Sequence, residues 1–251
     1  MQLKALLWDV DGTLADTELE GHRRAFNQAF AAAGLSWRWD EATYRQLLAI
    51  SGGRERIRHY GSQVQSHPIA EAMVEDLMRA KQHAYGELAR RGGLPLRPGV
   101  RRLVAEAAAQ GVSQALVTTS SRSAVAALLD GHGAELRRSF GFWVCGEDVK
   151  AKKPSPEGYL QALDRLRLPA SQVLAVEDSP QGLAAAQGAD LPCLLTVGDQ
   201  TRAGLSPWWQ EAKTVINHLG ETDHPAQVLK GPPNGAAEIH LQWLHTLVEE
   251  G

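Results

Sequence analysis

Residues Leu6–Leu14 read LLWDVDGTL. A short apolar run followed by Asp9, Asp11 and Gly12 reads as a buried strand that delivers its end to a loop. Two acids at i and i+2 leave that strand together, where packing alone has no use for them. For an isolated D-x-D-G, a surface turn is an equally good reading. What lies beyond the stretch decides between the two.

Downstream, Asp16–Gly34 (DTELEGHRRAFNQAFAAAG) carries Ala25, Phe26, Ala29, Phe30 and Ala33 at helical period and stops at a glycine. Short helices are expected over Trp37–Arg58, broken by SGGRER at Ser51–Arg56, and a longer one over Ile69–Leu88. No strand pattern interrupts residues 15–90. The two prolines of LPLRPG at Leu94–Gly99 mark a boundary. Helix and strand then alternate: helix Val100–Gln110, strand Ser113–Thr118, helix Ser123–Leu129, strand Phe142–Cys145, helix Pro156–Leu166, strand Val173–Val176, helix Gln181–Ala186. Leu194–Val197 and Thr214–Ile216 read as the last strands, and Ala236–Glu249 as a final helix after the turn KGPPNG. Strands separated by single helices imply right-handed crossovers and parallel pairing. The expected fold is therefore α/β, a doubly wound, Rossmann-like, mainly parallel sheet (residues 1–15 and 95–251) carrying an inserted all-helical cap (16–94). Asp16–Thr17 and LPLRPG are the expected hinges.

The composition excludes several functions. With 43% hydrophobic and 22% charged residues and a net charge of −3 over 251 residues, the chain has no basic excess for nucleic acid or an anionic membrane. No apolar run approaches a membrane span, and no charged n-region stands ahead of a long apolar segment at the N-terminus, so an unprocessed chain is expected. Cys145 and Cys193 are too few for a disulfide framework, which fits a reducing cytoplasm. A soluble, cytoplasmic monomer is expected. Its tryptophans, Trp37, Trp39, Trp208, Trp209 and Trp243 among them, are read as packing residues because no basic groove accompanies them.

In an open α/β sheet, ligands bind beyond the carboxyl ends of the strands. The first strand delivers Asp9 and Asp11 there, the second Thr118, Thr119 and Ser120, the loop after the third Lys153, and the fourth Glu177 and Asp178. Acids on two strand ends, a lysine on another and hydroxyls on the last suit Mg²⁺-assisted phosphoryl transfer. Asp9 suits attack on phosphorus, Asp11 proton transfer to and from the ester and water oxygens, and Thr118 with Lys153 the phosphoryl oxygens. Glu177 reads equally well as a metal ligand and as a group behind the ligands. Ser179 before Pro180, and Ser155 before Pro156, read as helix N-caps with proline at the first helical position.

D-x-D-G-T, a hydroxyl after the second strand, a K-P lysine and E-D-S, in that order, resemble the four motifs of the haloacid-dehalogenase superfamily. The helical insertion after the first motif resembles its β-phosphoglucomutase-like branch. ADTELEGHRRAFN, SGGRER, LPLRPGV and VEDSPQGLAAA are most similar to CbbY-type phosphatases, so the resemblance spans residues 3–200. That resemblance implies a nucleophile at Asp9, an acid/base at Asp11, and Mg²⁺ held by Asp9, the Asp11 carbonyl and Asp178, with Glu177 beside it. It places Thr119 and Ser120 with Thr118 and Lys153 at the phosphate. It also places Glu18, His22, Gly52, Gly53, Arg54, Arg56 and Lys81 against the sugar and its distal phosphate, with Arg54 the first choice for that phosphate because of its bidentate fork. Taken from helix position alone, His22 would be an exposed polar-face residue. The implied reaction is hydrolysis of a small sugar phosphate, most similar to xylulose 1,5-bisphosphate turnover in organisms that fix carbon. A sugar-phosphate mutase using the same phosphoenzyme, and a non-catalytic ligand-binding regulator, are the rival readings.

Overall fold

The structure, a computed structural model, describes residues 2–50, 52–64, 68–198 and 207–249. In chain order, β1 (Ala5–Trp8) is followed by α1 (Arg24–Ala32), α2 (Glu41–Leu47), α3 (Gly53–Val64), α4 (Glu71–Arg90) and α5 (Val100–Ala109). Then come β2 (Ser113–Val117), α6 (Arg122–His132), α7 (Ala134–Arg138), β3 (Phe142–Val144), α8 (Glu157–Leu166) and β4 (Val173–Glu177). The chain ends with α9 (Pro180–Gln187), β5 (Cys193–Thr196), β6 (Thr214–Ile216), β7 (Val228–Lys230) and α10 (Leu241–Glu249). It divides into two compact units, one of Met1–Ala15, Pro95–Arg122 and Gly133–Gly251, the other of Asp16–Leu94 with Ser123–His132. The second unit thus includes most of α6, a segment that the sequence boundaries leave with the sheet.

The first unit is built on a seven-stranded sheet in the order β3-β2-β1-β4-β5-β6-β7. All neighbours are parallel except β6 and β7. The chain winds outward from β1 through β2 to β3, then returns to the other side of β1 and winds outward again from β4. The direction therefore reverses between β1 and β4, where a doubly wound sheet opens its ligand crevice. β1 is wholly buried, as a strand covered on both faces must be. Ala5 and Leu7 pack with Ala115, Val117 and Ala175 beneath Tyr159 and Ala162 of α8 and Ala185 and Ala186 of α9. Trp8 points to the opposite face, where its indole N–H donates to Gln114 Oε1 at 3.1 Å and Gln114 Nε2 donates to the Val104 carbonyl at 2.9 Å.

The second unit packs around Trp39, fully buried among Phe26, Phe30, Tyr44 and Tyr60. Both ends of the Asn27 amide bond the Trp39 backbone, at 2.7 and 2.8 Å. Among its described residues the insertion has helices joined by turns and loops and no β-strand. No helix among the described residues is long and apolar enough to cross a membrane.

The structure adds α7, which the sequence reading does not contain, and three further elements differ from that reading. α3 starts at Gly53, inside the expected break, because Gly52 makes the turn by itself at φ +101° and frees the following residues to be helical. Ser51 lies outside the described residues. β7 pairs antiparallel to β6 although its three residues carry no readable period. The final helix begins at Leu241 rather than Ala236 because the preceding backbone is engaged elsewhere: Ala226 N–H donates to the Ala237 carbonyl at 2.7 Å and Ile239 N–H to the Leu219 carbonyl at 2.8 Å.

Candidate active site

The β1–β4 register sets Trp8 beside Val176, so the next residues out, Asp9 and Glu177, reach the crevice together. Asp9 N–H extends the ladder to the Val176 carbonyl at 3.0 Å. Gly12 then turns the chain at φ +88°, and a Cβ there would stand 1.9 Å from Asp178 Oδ2. Only glycine lets the first loop close against the Asp178 carboxylate. Gly182 does the same for Glu177, since a Cβ there would lie 1.8 Å from Glu177 Oε2.

Lys153 ties these ends together. Its ammonium donates to Asp9 Oδ1 at 2.6 Å and to the Val117 carbonyl at 2.8 Å, and it pairs with Glu177 Oε1 at 2.6 Å. Glu177 is completely buried, and the same Oε1 accepts the Tyr159 hydroxyl at 2.5 Å. Burial pushes the Asp9 carboxyl up to about 8, with Lys153 opposing that rise and Glu177 and Asp11 adding to it. Burial also disfavours the charged ammonium, but Asp9 and Glu177 outweigh it and hold Lys153 above the usual lysine range. Asp9, Glu177 and Asp178 each offer an oxygen within 4.8 Å of the others. Hard carboxylate oxygens gathered around one partly open position fit Mg²⁺. Glu177 Oε1 is already engaged by Lys153 and Tyr159, which leaves Asp9 and Asp178 as the better-placed ligands and Glu177 as the counter-charge that holds the lysine.

The loop after β2 is rigidly supported. Thr118 N–H donates to the Val144 carbonyl at 3.0 Å and Gly146 N–H to the Ser120 carbonyl at 2.9 Å. A Cβ on Gly146 would meet the Thr119 carbonyl at 2.3 Å. Thr118 Oγ1 accepts Ser120 N–H at 3.1 Å, so its own proton is left to donate elsewhere. The Ser120 hydroxyl donates to Asp11 Oδ2. Ser179 caps α9 through Gly182 N–H at 3.0 Å with Pro180 at the helix start, as its sequence suggests. At α8 the frame is shifted by one: Pro156 is the cap position itself, and Ser155 Oγ accepts Glu157 N–H at 3.3 Å.

In the helical unit, Glu18 and His22 lie on a wide π-type turn, Glu18–Arg23, that leads into α1. Such turns recur at functional positions. Glu18 Oε2 accepts the Tyr44 hydroxyl at 2.6 Å, and Arg56 donates to that hydroxyl at 3.1 Å and, through Nε, to the Ile50 carbonyl at 2.9 Å. His22 is buried, not exposed: it stacks on Tyr85 at 4.3 Å, and its Nδ1 lies 2.9 Å from Lys81 Nζ. Lys81 is buried too, its ammonium 5.1 Å from the Phe26 ring centre and 5.2 Å from that of Tyr85. Arg54 instead presents its fork to Glu75, at 2.6 and 3.0 Å, beside the parallel Arg58–Glu71 pair. A Cβ on Gly53 would touch Phe26 and Met78 at 3.1 Å, so that glycine serves the packing of α3 on its neighbours.

Sequence reasoning missed three polar residues. Tyr159 occupies an apolar position of α8 and reads as core. Tyr44 does the same in α2. Arg97 stands in the proline loop, which the sequence marks as a boundary and a hinge, yet it is buried and donates to Thr196 O at 2.7 Å, Thr196 Oγ1 at 2.8 Å, Asn217 O at 2.6 Å and the Gly12 carbonyl. Its charge, between two prolines, was the available signal.

A family model for haloacid dehalogenase-like hydrolases matches residues 3–190, and the chain belongs to that family; it is an enzyme, a hydrolase. Among its relatives, protein CbbY of Cupriavidus necator is 40% identical over 257 residues, covering 98% of this chain and 99% of the relative. Among solved structures, CbbY of Rhodobacter sphaeroides in complex with phosphate is 40% identical with a TM-score of 0.78, covering 86% of this chain and 95% of that one. An aspartate-to-asparagine variant of the same CbbY in complex with xylulose-(1,5)bisphosphate is 39% identical, also at TM-score 0.78, over 88% of this chain and 98% of that one.

Proposed function

We propose that this protein is an Mg²⁺-dependent phosphatase that removes one phosphate from a small sugar bisphosphate, with xylulose 1,5-bisphosphate as the first substrate to test. The observation that carries the reading is the buried Asp9–Lys153–Glu177 chain at the sheet's switch point, with Asp178 closing an oxygen cluster beside it. The similarity to a CbbY solved with that bisphosphate supports the choice of substrate.

Asp9 and Asp178 would hold Mg²⁺, with the Asp11 carbonyl as a further oxygen, and the ion would supply charge stabilisation at the phosphoryl oxygens. Asp9 attacks phosphorus. As the Asp9–phosphorus bond forms and the ester bond breaks, Asp11 delivers its proton to the departing sugar oxygen. Water then attacks the aspartyl-phosphate while Asp11 takes its proton back, which regenerates Asp9 and releases phosphate. Lys153, fixed by Glu177 and the Val117 carbonyl, keeps Asp9 oriented and balances the charge that collects on the transferring group. Thr118, with its hydroxyl proton available, and Thr119 serve the same oxygens. In the helical unit, the Glu18–Arg56 pair and the His22–Lys81 pair, with Gly52 and Gly53 at the start of α3, are the reading for the sugar and its second phosphate.

The test is phosphate release from a panel of pentulose and hexose mono- and bisphosphates with Mg²⁺. A preference for xylulose 1,5-bisphosphate that disappears in Asp9→Asn is the expected result. No release from any member, or conversion to an isomeric phosphate without release, would overturn the reading.

A further inference from the structure

Ser120 follows the second motif and reads as one more hydroxyl for the phosphate. Its geometry says otherwise. Its backbone is fixed on both sides, N–H on Thr118 Oγ1 at 3.1 Å and carbonyl on Gly146 N–H at 2.9 Å. From that fixed loop its hydroxyl donates to Asp11 Oδ2, a residue on a different strand end. A serine hydroxyl has one proton, so while it is given to Asp11 it is not available to a phosphoryl oxygen.

We propose that Ser120 is a positioning residue for Asp11, an inference that rests on the phosphatase reading above. By holding Oδ2, Ser120 fixes the rotation of the Asp11 carboxyl and so the direction from which it exchanges a proton. In the first step that proton leaves Asp11 for the sugar oxygen as the ester P–O bond breaks. In the second it returns from the attacking water as the Asp9–phosphorus bond breaks. A proton-transfer group that rotates freely would spend only part of its time in reach, and misplacement of that kind weakens catalysis without touching phosphate affinity.

The discriminating measurement uses two esters with different leaving groups. Phosphoenzyme formation is followed in single turnovers with the best sugar phosphate, whose alkoxide must be protonated to leave, and with p-nitrophenyl phosphate, whose phenolate leaves unaided. Inorganic phosphate affinity is measured by calorimetry alongside. In Ser120→Ala, phosphoenzyme formation from the sugar phosphate should fall about 10- to 100-fold, a part of the ~10²–10⁴-fold that a correctly placed general acid supplies. The p-nitrophenyl phosphate step should fall by less than about threefold, phosphate affinity should be unchanged, and Ser120→Thr should restore most of the loss by returning a hydroxyl. Equal losses on both esters with weaker phosphate binding would make Ser120 a phosphate ligand and overturn the proposal. Unchanged rates on both would overturn it as well. A wild-type protein that hydrolyses neither ester would instead remove the phosphatase reading on which it rests.

Discussion

The two polar clusters of this protein are built in opposite ways. In the sheet unit, charged groups come from separate strand ends and meet because backbone ladders place them there: Asp9 beside Glu177 through the β1–β4 register, Lys153 across to both. They are buried and coupled, so each depends on the next. In the helical unit the polar groups project from helices that pack through Trp39 and its aromatic neighbours, and many of them serve that packing. Arg54 and Arg58 fasten α3 to α4 through exposed ion pairs, whereas Arg56, Glu18 and Tyr44 form a more sheltered network. Chemistry written into a parallel sheet is fixed by register, while the specificity of a helical surface depends on which of several similar side chains are left over from packing.

The largest test of this contrast is Asp9→Asn. Loss of more than about 10⁴-fold in kcat is expected, with a cooperative thermal transition retained, because asparagine keeps the shape and removes the nucleophile. Substantial residual turnover would separate Asp9 from the reaction. Chelation should act next. Activity should vanish in EDTA and return with Mg²⁺, while far-ultraviolet circular dichroism stays constant, since the sheet is assembled by its apolar core and not by the ion. An enzyme indifferent to chelator would break the oxygen-cluster assignment.

Lys153→Met probes coupling within the sheet unit. It leaves Glu177 fully buried without its cation, a fault that costs roughly 3–5 kcal/mol. At about 2–4 °C per kcal/mol for a chain of this size, Tm should fall by roughly 6–20 °C. A small shift would mean that Tyr159 alone can hold the carboxylate. In the helical unit, Arg56→Gln should raise KM for a bisphosphate by about tenfold with a smaller change in kcat. Arg54→Gln should mainly release Glu75, costing about 0–1 kcal/mol of stability as exposed ion pairs do. If Arg54→Gln has the larger effect on KM, the fork leaves Glu75 for substrate and the order of the two arginines is reversed. Ser179→Ala removes the α9 cap and should cost about 1 kcal/mol, a shift of a few degrees in Tm.

Much of the sheet unit could be read before any coordinates. A fully apolar β1, evenly spaced strands and single intervening helices leave one economical arrangement, and Asp9, Asp11, Lys153 and Asp178 stand where those strands must end. The helical unit was legible as helices, from the period of Phe26, Ala29 and Phe30, but not as a site. Helix period says that a residue is polar and on a face; it does not say whether His22 will be stacked on Tyr85 or left in water. Tyr44 and Tyr159 were invisible for the converse reason: a tyrosine ring satisfies an apolar position, and its hydroxyl matters only when a carboxylate from another element comes within reach.

The alternation of strand and helix, the Asp9–Gly12 loop and the residues delivered to the carboxyl edge were readable along the chain, because period, length and the ends of apolar runs are local properties. Folding was needed to show which oxygen of Glu177 is taken, that Arg97 is a buried clamp on the Gly12 carbonyl, and that the Ser120 hydroxyl turns to Asp11. Those are contacts between residues from 18 to more than 100 positions apart and on different elements, and no local pattern carries the direction in which a side chain will find its partner.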